Sequence, residues 1–196
     1  MYNTLKLKVL VLRNKYLEQS FINISNDTQK LFESKNYPLT YGELTLEGMK
    51  QIFNDFDTNQ KKIIDLGSGL GKIPLMAILY FNFSKATGVE LSIERHLKAM
   101  EMYKDLPEEN KKKIEYINDD LFNINIFEYD YIFVSNLCFS DELNEKLQIK
   151  LENESKKDAI IILSKPFNSN KFKLLQEKKV NMTWNKQSKI HLYIKI

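Results

Sequence analysis

Asp65 stands directly before three alternating glycines, Gly67, Gly69 and Gly71, and a second acid, Glu90, closes the next apolar stretch. Those residue types suit a small charged ligand. Glycine lets a backbone turn tightly and come close to what it binds. A carboxylate at the end of a second strand can accept hydrogen bonds from both ribose hydroxyls of an adenosine. A pyrophosphate is disfavoured here, because the spacing is GxGxG rather than GxGxxG and Asp65 would repel it. The same aspartate suits the ammonium and sulfonium charges of S-adenosylmethionine. Asp120, after a third apolar stretch, is placed to accept from the adenine amino group. The competing reading is an ordinary tight turn in some other nucleotide-binding α/β protein.

The elements that must position these groups alternate along the chain. Short, nearly continuous apolar runs predict strands at Lys62 to Leu66, Ala86 to Glu90, Ile114 to Ile117, Tyr129 to Ser135 and Ala159 to Ser164. Such runs suit a parallel sheet covered on both faces. Helices are expected at Ile73 to Tyr80, Ile93 to Tyr103 and Asp141 to Leu151, the last capped by Ser140. Ahead of them, Leu46, Met49, Ile52, Phe53 and Phe56 share one helical face after Thr45. The end breaks the alternation, with Lys179 to Trp184 and Lys189 to Ile196 predicting two strands around the turn Asn185 to Ser188. The expected fold is a doubly wound, seven-stranded, mostly parallel sheet with a terminal antiparallel hairpin, an arrangement that by analogy resembles the class I methyltransferases. Residues 1–44 are expected to form a helical extension and a loop over the ligand. Residues 45–196 would be the main domain.

Composition narrows the class further. A chain of 196 residues with 43% hydrophobic content can bury one full-sized core. The net charge of +3, from lysines scattered rather than clustered, gives little support for a nucleic-acid partner. One cysteine, Cys138, forms no internal disulfide, and two histidines, His96 and His191, make no metal cluster. Cys138 is expected in the core. No apolar run reaches the length of a membrane span. An intracellular, soluble protein of nucleus or cytoplasm is therefore expected. The basic first 17 residues also suit an organelle-targeting helix, although Leu5, Val9, Leu12 and Tyr16 at helical spacing favour packing on the domain.

The sequence resembles the non-SET histone-lysine methyltransferases, the disruptor-of-telomeric-silencing family. Tyr41-Gly42-Glu43 is similar to that family's YGE loop, Ile64 to Gly71 to its DLGSGxG strand and turn, and Gly88-Val89-Glu90 to its GVE. Ile132 to Phe139 resembles its IFVNNxxF segment, and Ser164-Lys165-Pro166-Phe167 its SKPF. The resemblance runs from about Asn36 to Phe167, with a fainter echo around Trp184 and His191. It implies that Tyr41 and Glu43 join Asp65, Gly67, Gly69, Gly71, Glu90, Asp120 and Leu121 in holding S-adenosylmethionine, and that the acceptor is a protein lysine. Three positions depart from the pattern: Lys72 replaces a glutamine, Leu121 an aromatic, and His191 a tyrosine. The family's long basic extension for nucleosome binding is not found in these residues, so a histone is only one candidate substrate.

Methyl transfer from a sulfonium needs a neutral nucleophile held in line with the methyl group, so positioning and loss of water do most of the work. Asn136, beyond the fourth strand, is expected to accept a hydrogen bond from the substrate amine, the alternative being a turn cap. Phe139, Trp184 and His191 are expected to form an aromatic sleeve for the lysine, with Tyr193 replacing His191 if the hairpin register is shifted by two. His191 could also assist deprotonation. The alternatives are a methyltransferase acting on RNA or a small amine, and a catalytically silent cofactor-binding module.

Overall fold

The computed structural model describes residues 22–196. The expected helical face of Leu5, Val9, Leu12 and Tyr16 lies outside them. Seven strands form one sheet: β1 (Lys62–Leu66), β2 (Lys85–Glu90), β3 (Ile114–Asn118), β4 (Tyr131–Val134), β5 (Ile160–Leu163), β6 (Phe172–Val180) and β7 (Ser188–Lys195). Their order is β3-β2-β1-β4-β5-β7-β6. β1 pairs in parallel with both β2 and β4, while β7 enters antiparallel between β5 and β6. The strand order reverses between β1 and β4, which opens a crevice at the carboxyl ends of the strands.

The central strands β4 and β5 are apolar throughout, and β1 nearly so, because side chains of alternate residues enter two different cores. Ile63, Phe133, Ile162 and Leu192 pack on one face, where α2 (Leu46–Phe53), α3 (Lys72–Tyr80) and α4 (Ile93–Lys104) supply Met49, Leu75 and Met102. Ile64, Ile132, Ile161 and Leu163 pack on the other against Leu147 and Leu151 of α6 (Asp141–Glu154). Side-chain caps start four helices: Ser25 before α1 (Asn26–Ser34), Thr45 before α2, Ser92 before α4 and Ser140 before α6. Each hydroxyl satisfies an N–H with no partner inside its helix.

The first five strands and the helices between them fall where expected, within two residues at either end, except that α6 runs three residues past its expected end at Leu151. The sixth does not: β6 spans Phe172–Val180, and Trp184 lies in the loop beyond it. β6 is an edge strand, exposed over most of its length and interrupted by a bulge between Leu174 and Gln176. Neither face is consistently buried, so the sequence carries no alternation there. One further helical turn, α5 (Glu108–Lys111), lies between α4 and β3.

Candidate active site

A cavity of about 290 Å³ opens at the switch point, over the glycine turn. The turn is tied to the neighbouring strand, since the N–H groups of Gly67 and Ser68 both donate to the carbonyl of Val89, at 2.9 and 2.8 Å. Gly67 and Gly69 have φ of +94° and +53°, a region that costs other residues energy. A Cβ on Gly67 would meet nothing within 4 Å, so the backbone there faces open space. A Cβ on Gly69 would lie 2.5 Å from the ring of Tyr41.

Acids line this turn. Glu90 accepts from Gly69 N–H and from Ser92 N–H, both at 2.8 Å, through separate oxygens. Burial nevertheless pushes its pKa up, against these bonds and the nearby Arg95. Asp65 is 3% exposed, and burial beside Glu90 raises its pKa well above the usual carboxylate range. None of the described residues donates a hydrogen bond to its carboxylate. A buried acid without a donor is costly unless a ligand supplies a positive group.

Residues 37–44 cross over the turn as a strap. Tyr41 lies under the Arg95 guanidinium, 4.7 Å from the ring centre, and its hydroxyl donates to Glu43 Oε1. Glu43 Oε2 accepts from Lys72 Nζ at 2.7 Å, and both side chains are buried. Beyond Glu43 the strap is stitched to the hairpin loop: Glu43 N–H donates to Thr183 Oγ1 at 3.1 Å, and Thr183 N–H donates back to the Glu43 carbonyl at 2.9 Å. Leu44 bridges to Met182.

Of the residues expected at the site, Tyr41, Glu43, Asp65, Gly67, Gly69, Glu90, Leu121, Phe139 and Trp184 border the cavity. Four do not. Gly71 caps α3 and lets the chain pass Tyr116 and Ala99, where a Cβ would lie 2.5 and 2.8 Å from their side chains. Asp120 faces the strap instead, accepting from Tyr37 Oη at 2.6 Å and Lys35 Nζ at 2.8 Å. Although burial acts upward, these bonds hold its pKa below the ordinary value. Its neighbour Asp119 borders the cavity in its place.

Asn136 is 2% exposed and away from the wall. Its Oδ1 accepts from Lys165 N–H at 2.9 Å, and its Nδ2 donates to Asn144 Oδ1 at 2.7 Å and to the Lys165 carbonyl at 3.1 Å. Rather than capping a turn or pointing at an amine, it ties the segment after β4 to the segment after β5. His191 pairs with Leu163 in the sheet and is buried off the wall, with Nδ1 lacking a partner. Burial lowers its pKa. Tyr193 does not replace it, because its ring stacks on Phe167 at 4.7 Å. Cys138 is exposed on the cavity wall, not in the core.

Arg95, Asp119, Ser135 and Leu137 also border the cavity and went unread in the sequence. Arg95 lies on the first turn of α4 after the Ser92 cap, and that cap-to-arginine spacing was the available signal. No group of three or more metal-ligating side chains occurs among the described residues. Nor does any helix among them have the length and apolarity to cross a membrane.

A family model described as "Histone methylation protein DOT1" matches residues 21–194. A histone-lysine N-methyltransferase of Caenorhabditis elegans, specific for H3 lysine-79, is 27% identical over 158 residues, which cover 74% of this chain and 16% of that protein. The chain thus spans about a sixth of the length of that relative. Two solved structures share the fold. An RNA methyltransferase from Salinibacter ruber, in complex with S-adenosyl-L-homocysteine, superposes with a TM-score of 0.56 at 16% identity, covering 76% of this chain and 90% of that one. The B. subtilis tRNA methyltransferase TrmK gives 0.59 at 18% identity, covering 78% and 67%.

Proposed function

The chain belongs to the DOT1 histone methylation family, and from that premise we propose that it transfers a methyl group from S-adenosylmethionine to the Nε of a protein lysine. The observation that carries this reading is Asp65, a buried acid with no donor among the described residues, on a turn whose next residues open onto the cavity. Asp65 suits the cofactor's ammonium, and Glu90 with Asp119 and Leu121 suits its adenosine end. Bound there, S-adenosylmethionine supplies an activated methyl group on a positively charged sulfur.

The remaining work falls to the protein. Leu137, Phe139 and Trp184 border the same cavity as the glycine turn. A lysine amine entering between them leaves water, and burial lowers its pKa toward the neutral form that attack requires. The aromatic faces then favour the methylated cation that forms. Asn136 acts indirectly, holding the segments after β4 and β5 in register beside the cavity. His191 has no direct part in this scheme. We assign residues 45–196 to the catalytic domain, with the preceding strap as its cover. A lysine-bearing protein substrate, histones included, and a nuclear setting complete the proposal.

The test is transfer of labelled methyl groups to histone octamers, nucleosomes, whole-cell protein and RNA, with Asp65→Asn as the control. Label on protein lysines that disappears in the variant is the expected result. Label on RNA alone, or cofactor binding with no transfer to any of these, would overturn the reading.

A further inference from the structure

We infer that Arg95 is a positioning residue that latches the middle of the strap onto the glycine turn and so sets how fast the cofactor enters and leaves; this rests on the reading above. Among the described residues the strap is fixed at three places. At its start Tyr37 donates to Asp120 at 2.6 Å. At its end Glu43 and Thr183 exchange hydrogen bonds of 3.1 and 2.9 Å, and Glu43 pairs with Lys72. Between them Arg95 donates to the Leu39 carbonyl at 3.3 Å, and its guanidinium lies 4.7 Å from the centre of the Tyr41 ring. That ring lies in turn against Gly69, and its hydroxyl accepts from Leu70 N–H at 3.3 Å. Arg95 therefore bears on the turn through Tyr41.

The way Arg95 is held makes this the fixing that opens. It is 7% exposed and stands in the first turn of α4, where the helix dipole disfavours a cation. It forms no ion pair with a carboxylate among the described residues. Its charge acts on Glu90, but the two Glu90 oxygens already accept from Gly69 N–H and Ser92 N–H. What remains to the guanidinium is one long hydrogen bond and two aromatic rings, Tyr41 and, at 5.7 Å, Phe32. A buried cation so held regains its hydration when it swings out, which offsets much of what it gives up. The chain before the strap does not follow, because Ser25 N–H and Thr28 Oγ1 both donate to Glu94 on α4, at 2.9 Å. The strap thus lifts at its centre between two fixed ends, and lifting there uncovers Gly69 and Glu90, the side that suits adenosine.

The experiment measures association and dissociation rates of S-adenosylmethionine by rapid mixing, for wild type, Arg95→Met and Arg95→Lys. Methionine keeps apolar bulk beside Tyr41 but offers no donor to Leu39 and no cation to the ring. Both rates should rise about 10- to 100-fold in Arg95→Met, the range for one hydrogen bond to a charged group together with a cation–π contact. Because the latch is made with and without cofactor, Kd should change less than about threefold. Lysine keeps the charge and a donor but not the planar face, so its rates should fall between the two. If Arg95→Met does not fold, Arg95→Lys must still raise both rates. Unchanged rates, or slower association with a raised Kd, would overturn the latch alone, the second result marking Arg95 as part of the cavity's framework. Failure of the wild-type protein to bind S-adenosylmethionine would overturn the methyltransferase reading with it.

Discussion

The ring of Trp184 lies so close over Gly42 that a Cβ on the glycine would stand 2.1 Å from its Cζ3. The strap that covers the glycine turn thus touches the aromatic wall expected to receive substrate, and two hydrogen bonds between Glu43 and Thr183 lock the contact. Gly42→Ala forces the indole to move, because the clashing atoms belong to its ring. Trp184 is 45% exposed, so its ring can swing outward without disturbing the core. The expected outcome is a nearly unchanged melting temperature, little change in cofactor affinity, and transfer to substrate reduced about tenfold, roughly 1.4 kcal/mol of lost positioning. Trp184 is the only tryptophan, so its fluorescence reports the displacement directly. A tenfold loss with an unshifted emission spectrum would refute the mechanism.

Asp65 ties stability and binding to pH in opposite senses. Burial, and then Glu90, raises its pKa in the folded state above the unfolded value. The folded protein therefore binds the proton more tightly, and without cofactor it loses stability as pH rises from about 4 through the raised value. A cationic ligand favours the carboxylate, so cofactor affinity should rise over the same window. Asp65→Asn should flatten both slopes except for the part due to Glu90, whose pKa is raised as well. It should also raise the melting temperature of the free protein at neutral pH, by about 2–4 °C per kcal/mol recovered, while abolishing cofactor binding. Urea melts and calorimetry at a series of pH values give both slopes. A free variant less stable than wild type at neutral pH would contradict the argument.

Tyr37 offers the reverse sign. Its hydroxyl and Lys35 hold Asp120 below its ordinary pKa, despite burial. That contribution is fully present above the unfolded carboxylate value of about 4 and fades as pH falls through the lowered folded value. Tyr37→Phe should cost about 1–2 kcal/mol at neutral pH, for one hydrogen bond to a charged and partly buried acceptor. The difference from wild type should shrink in acid. If the two proteins differ equally at pH 7 and at about pH 3, the bond to ionised Asp120 is not what the tyrosine supplies.

What could be read from sequence alone divides along a physical line. The glycine turn, its flanking acids and the strands leading into it were legible because local chemistry decides them: an apolar run must be covered, and positive φ calls for glycine. Asp120 and Asp119 were not separable, because two adjacent acids differ only in which way each points, and Tyr37 of the strap and Lys35 just before it decide that. His191 and Tyr193 occupy alternate positions of β7, and their neighbours across the sheet, rather than any pattern along the strand, put both off the cavity wall. The error at β6 has the same origin, since an edge strand lacking one buried face leaves no alternation to read. Lys72 was visible only as a departure from the family pattern, because its buried pair with Glu43 depends on where the strap lies.

Asn136 sharpens the difference between a residue that touches substrate and one that places others. It makes three hydrogen bonds, two with the Lys165 backbone and one with the Asn144 side chain. Alanine at this position leaves the Lys165 N–H and carbonyl and the Asn144 carbonyl oxygen without their present partner, in a place 2% exposed to water. The cost should be about 2–4 kcal/mol. A chain of 196 residues should then melt roughly 5–15 °C lower. Asn136→Asp keeps an acceptor for Lys165 N–H but turns its second oxygen on the Asn144 Oδ1 and the Lys165 carbonyl, so it should cost at least as much as alanine. At a temperature where all three proteins are folded, cofactor affinity should be unchanged and kcat/KM should track the loss of stability. The substrate-amine role makes the opposite demand: transfer lost more than a hundredfold, about 2.7 kcal/mol, with the melting temperature intact. Melting curves and single-turnover rates on the same three proteins decide between them. The geometry favours the first result, because Oδ1 already accepts the Lys165 N–H and the side chain does not border the cavity.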